Sequence, residues 1–291
     1  METARTHHFV GLDGGGTGCR AVIADADGHP IGTGTGGPAN FATDPDATIR
    51  NVRAALDRAA RDAGLTNAQL AVATIHIGLA GILRSADGAR VAAALELAQA
   101  CVTEDRLTSL AGALGDRDGA LAAIGTGTSV TARRGDRIRT FGGWGLGIGD
   151  QASGAWLGRA ALEAALLAHD GVTDGSDITA ALLARFAGDP AEMVAFAGGA
   201  SPADYAALAP DILDAAEAGD PTGHALMRRG ADYLDACFAA ADLAPGEIVC
   251  LSGGIGPRYA SFLSGGVQAR LAPPDGTALD GALRLARARG I

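Results

Sequence analysis

One pattern occurs twice in this chain and constrains its fold more than any other feature. The apolar strand His8-Phe9-Val10-Gly11-Leu12-Asp13 runs into the turn Gly14-Gly15-Gly16-Thr17 and returns as a second strand, Arg20 to Ala24. Much later, Ala120 to Ile124 runs into Gly125-Thr126-Gly127-Thr128 and returns as Val130 to Arg134. A turn without Cβ atoms lets several backbone N–H groups converge on one point, where an anion can approach them closely. Either turn alone reads equally well as a tight hairpin. The same turn in equivalent places of two halves points to a phosphate-binding pair.

The segments that follow each turn extend the repeat. After the first come a strand at 29–35 and a helix from Pro45 to about Ala63, with Ile49, Val52, Leu56 and Ala60 on one face and Gly64 as its stop. Next are an apolar strand from Ala71 to Leu79, a helix from Ser85 to about Ala100, a short strand at Cys101-Val102 and a helix reaching Leu114. After the second turn come a strand near Arg137 to Phe141, an all-helical stretch from Gln151 to Asp242, a strand at Ile248 to Leu251 and a last amphipathic helix, Leu279 to Arg289. The expected architecture is a duplicated α/β fold in two lobes with a cleft between them. Residues 1–115 form the N-terminal lobe, on which helix 279–291 packs back, and residues 116–278 form the C-terminal lobe with its helical insertion.

Composition narrows the ligand. A net charge of −10 repels nucleic acid and anionic membrane, so neither is an expected partner and a small molecule is. No apolar run of membrane-spanning length occurs, and a cytoplasmic location is expected. Cys19, Cys101, Cys237 and Cys250 lack CxxC spacing and read as reduced packing residues. All 23 basic residues are Arg, so there is no P-loop lysine, no Schiff-base lysine and no protein-kinase β3 lysine. The six histidines show no ligand spacing, and His76, inside an apolar strand, reads as a satisfied core residue.

Four segments taken in order, LDGGGTGCR (12–20), AIGTGTSV (123–130), GGWGLGIGDQASGAWLG (142–158) and LSGGI (251–255), resemble the sugar-kinase, actin and heat-shock-protein superfamily. Within it they are similar to the BadF/BadG/BcrA/BcrD type, the branch containing N-acetylglucosamine kinase, glucosamine kinase and the benzoyl-CoA reductase activating ATPases. The resemblance implies a duplicated ribonuclease H-like (actin-like ATPase) fold, with ATP and a sugar bound centrally. It places Asp13 beside Mg²⁺ through water, and the amides of Gly14, Gly15, Gly16 and Thr17 on the β- and γ-phosphates. Gly125, Thr126, Gly127 and Thr128 would grip the phosphates from the opposite lobe, and Gly253 and Gly254 would let adenosine lie against backbone. Read alone, Gly253-Gly254 is an ordinary strand-to-helix turn.

Phosphoryl transfer to an alcohol needs a carboxylate that accepts the hydroxyl proton. Asp105, between the strand at Cys101-Val102 and the helix Leu107 to Ala113, resembles the base of the family's strand-TxD-helix segment. The alternative is a first-turn or N-cap acid. Glu104 competes for the role, and Arg106 could pair with either carboxylate. The resemblance further assigns the sugar to Asn40, Asp105, Thr128, Ser129, Gly143, Trp144 and Asp150. Without it, Asn40 is a loop residue, Trp144 is core packing, and Asp150 caps the helix beginning at Gln151.

GDQASGAWLG resembles the form of the motif found in glucosamine kinases. The expected reaction is therefore transfer of a phosphoryl group from ATP to the 6-hydroxyl of D-glucosamine, with N-acetylglucosamine as the alternative acceptor. An ATPase that activates a partner is a reading of another class, but it calls for a cysteine pair at a dimer interface that these cysteines do not supply. A sugar-sensing regulator calls for an N-terminal helix-turn-helix segment, which is absent. A homodimer is left open.

Overall fold

The computed structural model describes residues 7–97 and 99–290. They fall into two units, one running up to Arg117 and resuming at Pro274, the other spanning Asp118–Pro273.

The first unit begins with β1 (Phe9–Gly14), β2 (Cys19–Ala24) and β3 (Pro30–Gly36). There follow α1 (Pro45–Asp62), α2 (Asn67–Ala71), β4 (Thr74–Leu79), α3 (Ser85–Ala94), β5 (Ala100–Glu104) and α4 (Asp105–Leu114). The sheet order is β3-β2-β1-β4-β5. β1 runs antiparallel to β2 and parallel to β4, and β4 is parallel to β5. Strand β4 is buried on both faces, as a strand inside a parallel arrangement must be, which is why it reads as a continuous apolar run. Val10, Leu12, Ile23, Leu56, Ile75, Ile77 and Leu79 form the core beneath α1. Asp44 opens α1 by accepting the Ala47 N–H at 2.8 Å, with Pro45 in the first helical turn.

Two boundaries differ from the sequence expectation. Ala71 closes α2, a short helix held by a reciprocal Thr66–Gln69 capping box, so the strand starts only at Thr74. Helix α3 stops at Ala94, because Leu95 and Leu97 turn into the core and Glu96 takes a left-handed backbone with φ 54°.

His76 is 4% exposed within β4. Burial, helped by the Arg289 charge, pushes its pKa down to about 4. The unfolded chain takes up this proton around pH 6.5 and the folded chain resists until about 4, so the buried ring costs nothing above that window and progressively more within it. Stability should fall by up to about 3 kcal/mol between roughly pH 6.5 and 4 on this account. Urea melts of His76→Leu across that range should show a shallower acid limb; an unchanged limb would assign the loss to other groups.

The second unit begins with β6 (Gly119–Ile124), β7 (Thr128–Arg134) and β8 (Arg137–Gly142). A helical stretch follows: α5 (Gly154–His169), α6 (Asp177–Arg185), α7 (Pro190–Gly199), α8 (Pro202–Ala206), α9 (Ala209–Glu217) and α10 (Pro221–Ala241). Strand β9 (Ile248–Ser252), a 3-10 turn (Gly256–Tyr259) and α11 (Gly265–Gln268) complete it. The sheet order is β8-β7-β6-β9, with β6 antiparallel to β7 and parallel to β9. Thus β6 repeats the pairing of β1, and β9 that of β4. Where the first sheet has its fifth strand, Leu271 makes a single parallel bridge to Val249. Leu157, Ile212, Leu226, Met227 and Leu234 fill the helical core.

The last helix, α12 (Ala278–Arg289), belongs to the first unit. Thr277 and Asp280 cap its start reciprocally. It crosses α4 backbone to backbone: a Cβ on Gly112 would collide with the Thr277 carbonyl, and one on Gly281 with the Thr108 carbonyl. Ion pairs Arg284–Asp116 at 3.1 Å and Arg117–Asp275 at 2.6 Å flank the crossing.

Candidate active site

In the first unit, the turn after β1 is anchored by its carbonyls. Gly14 O accepts the Ala80 N–H at 2.9 Å, Gly15 O accepts the Ala39 N–H at 2.8 Å, and the Gly15 N–H closes the turn on Gly18 O at 2.9 Å. Gly16 and Thr17 lie at the open end of the turn, and open space surrounds Gly15 and Gly16 where a side chain would stand. Asp13, half-buried at the end of β1, lies opposite Arg20 and pairs with it at 3.1 Å. The Arg20 side chain is 58% exposed, so this pair is screened and readily exchanged. Asn40 bridges to Ala80, the residue that binds Gly14 O, and its Oδ1 accepts the Ala42 N–H at 3.1 Å. No short-range sequence signal marks the supporting residues Ala39 and Ala80, because they act through backbone only.

Asp105 is the first residue of α4, directly after the edge strand β5. Burial pushes its carboxyl pKa up, the nearby Asp13 and Glu104 charges add to this, and Arg106 opposes it. Arg106 forms its ion pair with Glu104, at 3.2 Å. The two adjacent acids are therefore unlike: Glu104 is engaged as a carboxylate, while Asp105 sits in surroundings that favour holding a proton.

The second unit repeats the anchoring. Ile124 O accepts the Ile255 N–H at 3.1 Å, Gly125 O accepts the Gly154 N–H at 2.8 Å, and the Gly125 N–H closes on Gly127 O at 2.9 Å. Thr126 O takes the Ala155 N–H at 3.3 Å, so the start of α5 rests on the turn. That helix is capped by Ser153, whose Oγ accepts the Trp156 N–H at 3.0 Å, and not by Asp150. Asp150 is 8% exposed with a left-handed φ of 57°; its Oδ1 accepts the Gly145 N–H at 3.2 Å and its carboxylate abuts Gly127. Trp144 is 73% exposed next to exposed Gly143, so it is not core packing. Tyr233 of α10, absent from the sequence-based set, places its hydroxyl against Gly142 at the foot of this loop. Gly253 has φ 82° and no room for a Cβ beside the Ile124 carbonyl, whereas Gly254 is open.

Thr128, at the head of β7, is 2% exposed and its hydroxyl is buried without a hydrogen-bond partner; Ser129 beside it is half-buried. An unsatisfied buried hydroxyl costs about 1–3 kcal/mol. Thr128→Val should therefore leave the melting temperature unchanged or raise it, while a fall in kcat/KM of about tenfold would mark the hydroxyl as a ligand group. Loss of both stability and turnover in parallel would make it purely structural.

The β2–β3 hairpin gathers ligand atoms of Asp25, Asp27 and His29 within 4.8 Å, a grouping that the sequence spacing did not suggest. The Asp25 carboxylate already accepts the Asp27 and His29 N–H groups, and the Arg287 guanidinium bonds Asp27 O beside it.

The family model for the BadF/BadG/BcrA/BcrD ATPases matches residues 10–269. The chain belongs to the BadF/BadG/BcrA/BcrD ATPase family. This member is 31% identical over 281 residues to the glucosamine kinase GspK of Vibrio cholerae, covering 96% of each chain. Its structure superposes with a TM-score of 0.86 and 34% identity on a crystal structure from Chromobacterium violaceum provisionally named an N-acetylglucosamine kinase, covering 97% of this chain and 100% of that one. A second solved chain of that provisional name, from Porphyromonas gingivalis, shares the fold at TM-score 0.71 and 18% identity, with 97% and 100% coverage. The duplicated sheets of this BadF-type ATPase are thus the ribonuclease H-like fold of the actin-like sugar kinases. Among its described residues no helix is long and apolar enough to cross a membrane.

Proposed function

We propose that this ATP-using phosphotransferase is a glucosamine kinase, with Asp105 as the general base. The observation that carries the reading is the contrast at the β5–α4 junction: Glu104 is tied to Arg106, while partial burial raises the pKa of the Asp105 carboxyl. A carboxylate whose charge is disfavoured by its surroundings is the better proton acceptor. In the step, Asp105 takes the proton of the sugar 6-hydroxyl as that oxygen attacks the γ-phosphorus of ATP. The bond from γ-phosphorus to the β-phosphate oxygen breaks, and ADP leaves.

The choice of glucosamine rests on the relative from Vibrio cholerae, which matches over 96% of both chains. N-acetylglucosamine is the second reading, favoured by the name of the Chromobacterium violaceum structure. Asn40, Thr128, Ser129, Gly143, Trp144 and Asp150 are assigned to the sugar, with the buried Asp150 carboxylate as a strong acceptor for its hydroxyl groups.

The donor set suits a phosphate chain and a divalent cation. The Gly15 and Gly125 amides close their own turns, so Gly16 and Thr17 in the first turn and Thr126 and Gly127 in the second are the amides assigned to phosphate oxygens. Gly254 leaves space at the end of β9 for adenosine, while Gly253 lets the chain pass close to the Ile124 carbonyl. Asp13 is the candidate to hold Mg²⁺ through water, and Arg20 is the charge it would give up. When bound, the cation neutralises charge developing on the phosphates.

Coupled ADP release with glucosamine, N-acetylglucosamine, glucose and no sugar tests the reading. Glucosamine should be preferred by about tenfold or more in kcat/KM. A full rate without sugar would remove the kinase assignment, and a preference for N-acetylglucosamine would replace the acceptor.

A further inference from the structure

Two residues of β4 hold the segment that carries Asp105. His76 and Gly78 lie on one face of the strand, opposite Cys101 and Thr103 of β5. The His76 Nε2 is 3.0 Å from the Thr103 Oγ1, and the Thr103 hydroxyl donates to Glu104 O at 3.3 Å. Gly78 leaves space that the Thr108 side chain fills, and the Thr108 hydroxyl donates to Asp105 O at 2.9 Å. Asp105 is thus bracketed, upstream by Thr103 tied to His76 and downstream by Thr108 seated on Gly78.

A histidine is a costly choice in this strand. Its neighbours Ile75, Ile77 and Leu79 are fully buried, and the His76 Nδ1 is buried without a hydrogen-bond partner. Because Thr103 spends its proton on Glu104 O, the imidazole must donate from Nε2, which leaves Nδ1 as a bare acceptor. An aliphatic residue would avoid that orphan. The cost is matched by a need: β5 is the sheet's edge strand, five residues long and half-buried throughout, with a ladder on one side only. A base placed directly after such a strand requires a lateral support.

We infer that His76 is a positioning residue for the catalytic base, its bond to Thr103 cross-linking β5 to β4 two residues before Asp105. The inference rests on the reading of Asp105 as the base. It acts through placement: a misplacement on the order of 1 Å at a reacting group can cost about 100-fold in rate.

His76→Leu, Thr103→Val, their double variant and His76→Gln in the full chain test this. His76→Leu and Thr103→Val should each lower kcat about tenfold with sugar and ATP KM within about twofold of wild type. The double variant should be no worse than either single one, because both remove the same bond. His76→Gln, whose side-chain amide can donate in place of Nε2, should keep kcat within about threefold of wild type. His76→Leu should melt no lower than wild type, which separates positioning from structural damage. A folded His76→Leu with wild-type kcat, or losses that add in the double variant, would overturn the inference. Should the wild-type protein show no sugar-dependent turnover, the kinase reading fails by itself, and placement is read without substrate from the ¹³C titration of the Asp105 carboxyl. There His76→Leu should move the midpoint down toward the ordinary carboxylate range, and an unmoved midpoint would again overturn the inference.

Discussion

Asp105→Asn is expected to lower sugar-dependent turnover by about 10³-fold and, at the same time, to raise the melting temperature. The two effects have one cause. Burial, together with the Asp13 and Glu104 charges, lifts the Asp105 pKa in the folded chain above its unfolded value, with Arg106 offsetting only part of this. An acid shifted in that direction destabilises the fold at every pH where it is ionised, and the penalty disappears as pH falls through its titration. Asn has nearly the same shape and no charge, so it removes the penalty together with the proton acceptor. Melts at about pH 7 and again in the acid range provide the check: the gain over wild type should shrink as pH falls and wild-type Asp105 becomes protonated. Near-normal turnover in Asp105→Asn would return the base role to Glu104. A lower melting temperature at neutral pH would mean that the carboxylate is held by bonds that favour its charge.

Gly281→Ala and Gly112→Ala should each destabilise the first unit by about 3 kcal/mol, seen as a lower urea midpoint at similar slope. At both positions the added methyl would meet backbone, the Thr108 carbonyl for Gly281 and the Thr277 carbonyl for Gly112, so no side chain can swing aside to relieve it. Helix α12 also lies directly on β1, where Gly11 faces the Leu283 N–H, so the helix cannot back away from α4 without leaving the sheet. Because α4 starts at Asp105, the same variants should lower kcat as well. Gly198→Ala serves as the control: Gly198 lies in α7 with open space around it, and alanine there should be neutral or stabilising by up to about 1 kcal/mol. Loss of less than about 1 kcal/mol in Gly281→Ala would show that the helix crossing has slack.

Much of the fold was legible because the signals that carry it are local. A strand, a glycine turn and a return strand are each specified by neighbouring residues, so both halves of the repeat and the position of Asp105 at a strand–helix junction could be read directly. The errors fell where local pattern and three-dimensional packing diverge. Ala71 has the apolar character of the strand that follows but ends a capped helix. Helix α3 stops at Ala94 although helix-favouring residues continue past it, at the point where Leu95 and Leu97 find the core.

The sequence by itself determined the fold class, the two equivalent glycine turns and a short list of acids, because spacing along the chain dictates backbone geometry and the absence of lysine removes whole classes of chemistry. The tertiary structure alone decided what each acid can do. Glu104 and Asp105 are adjacent and chemically alike, yet Arg106 takes one and burial raises the pKa of the other. The alternative reading of Asp150 as a helix cap fell away because Ser153 fills that place. His76 and Thr103 meet only because β4 and β5 pair in one register. Charge and proton affinity depend on what surrounds a group in space, and residues distant along the chain supply those surroundings only once it has folded.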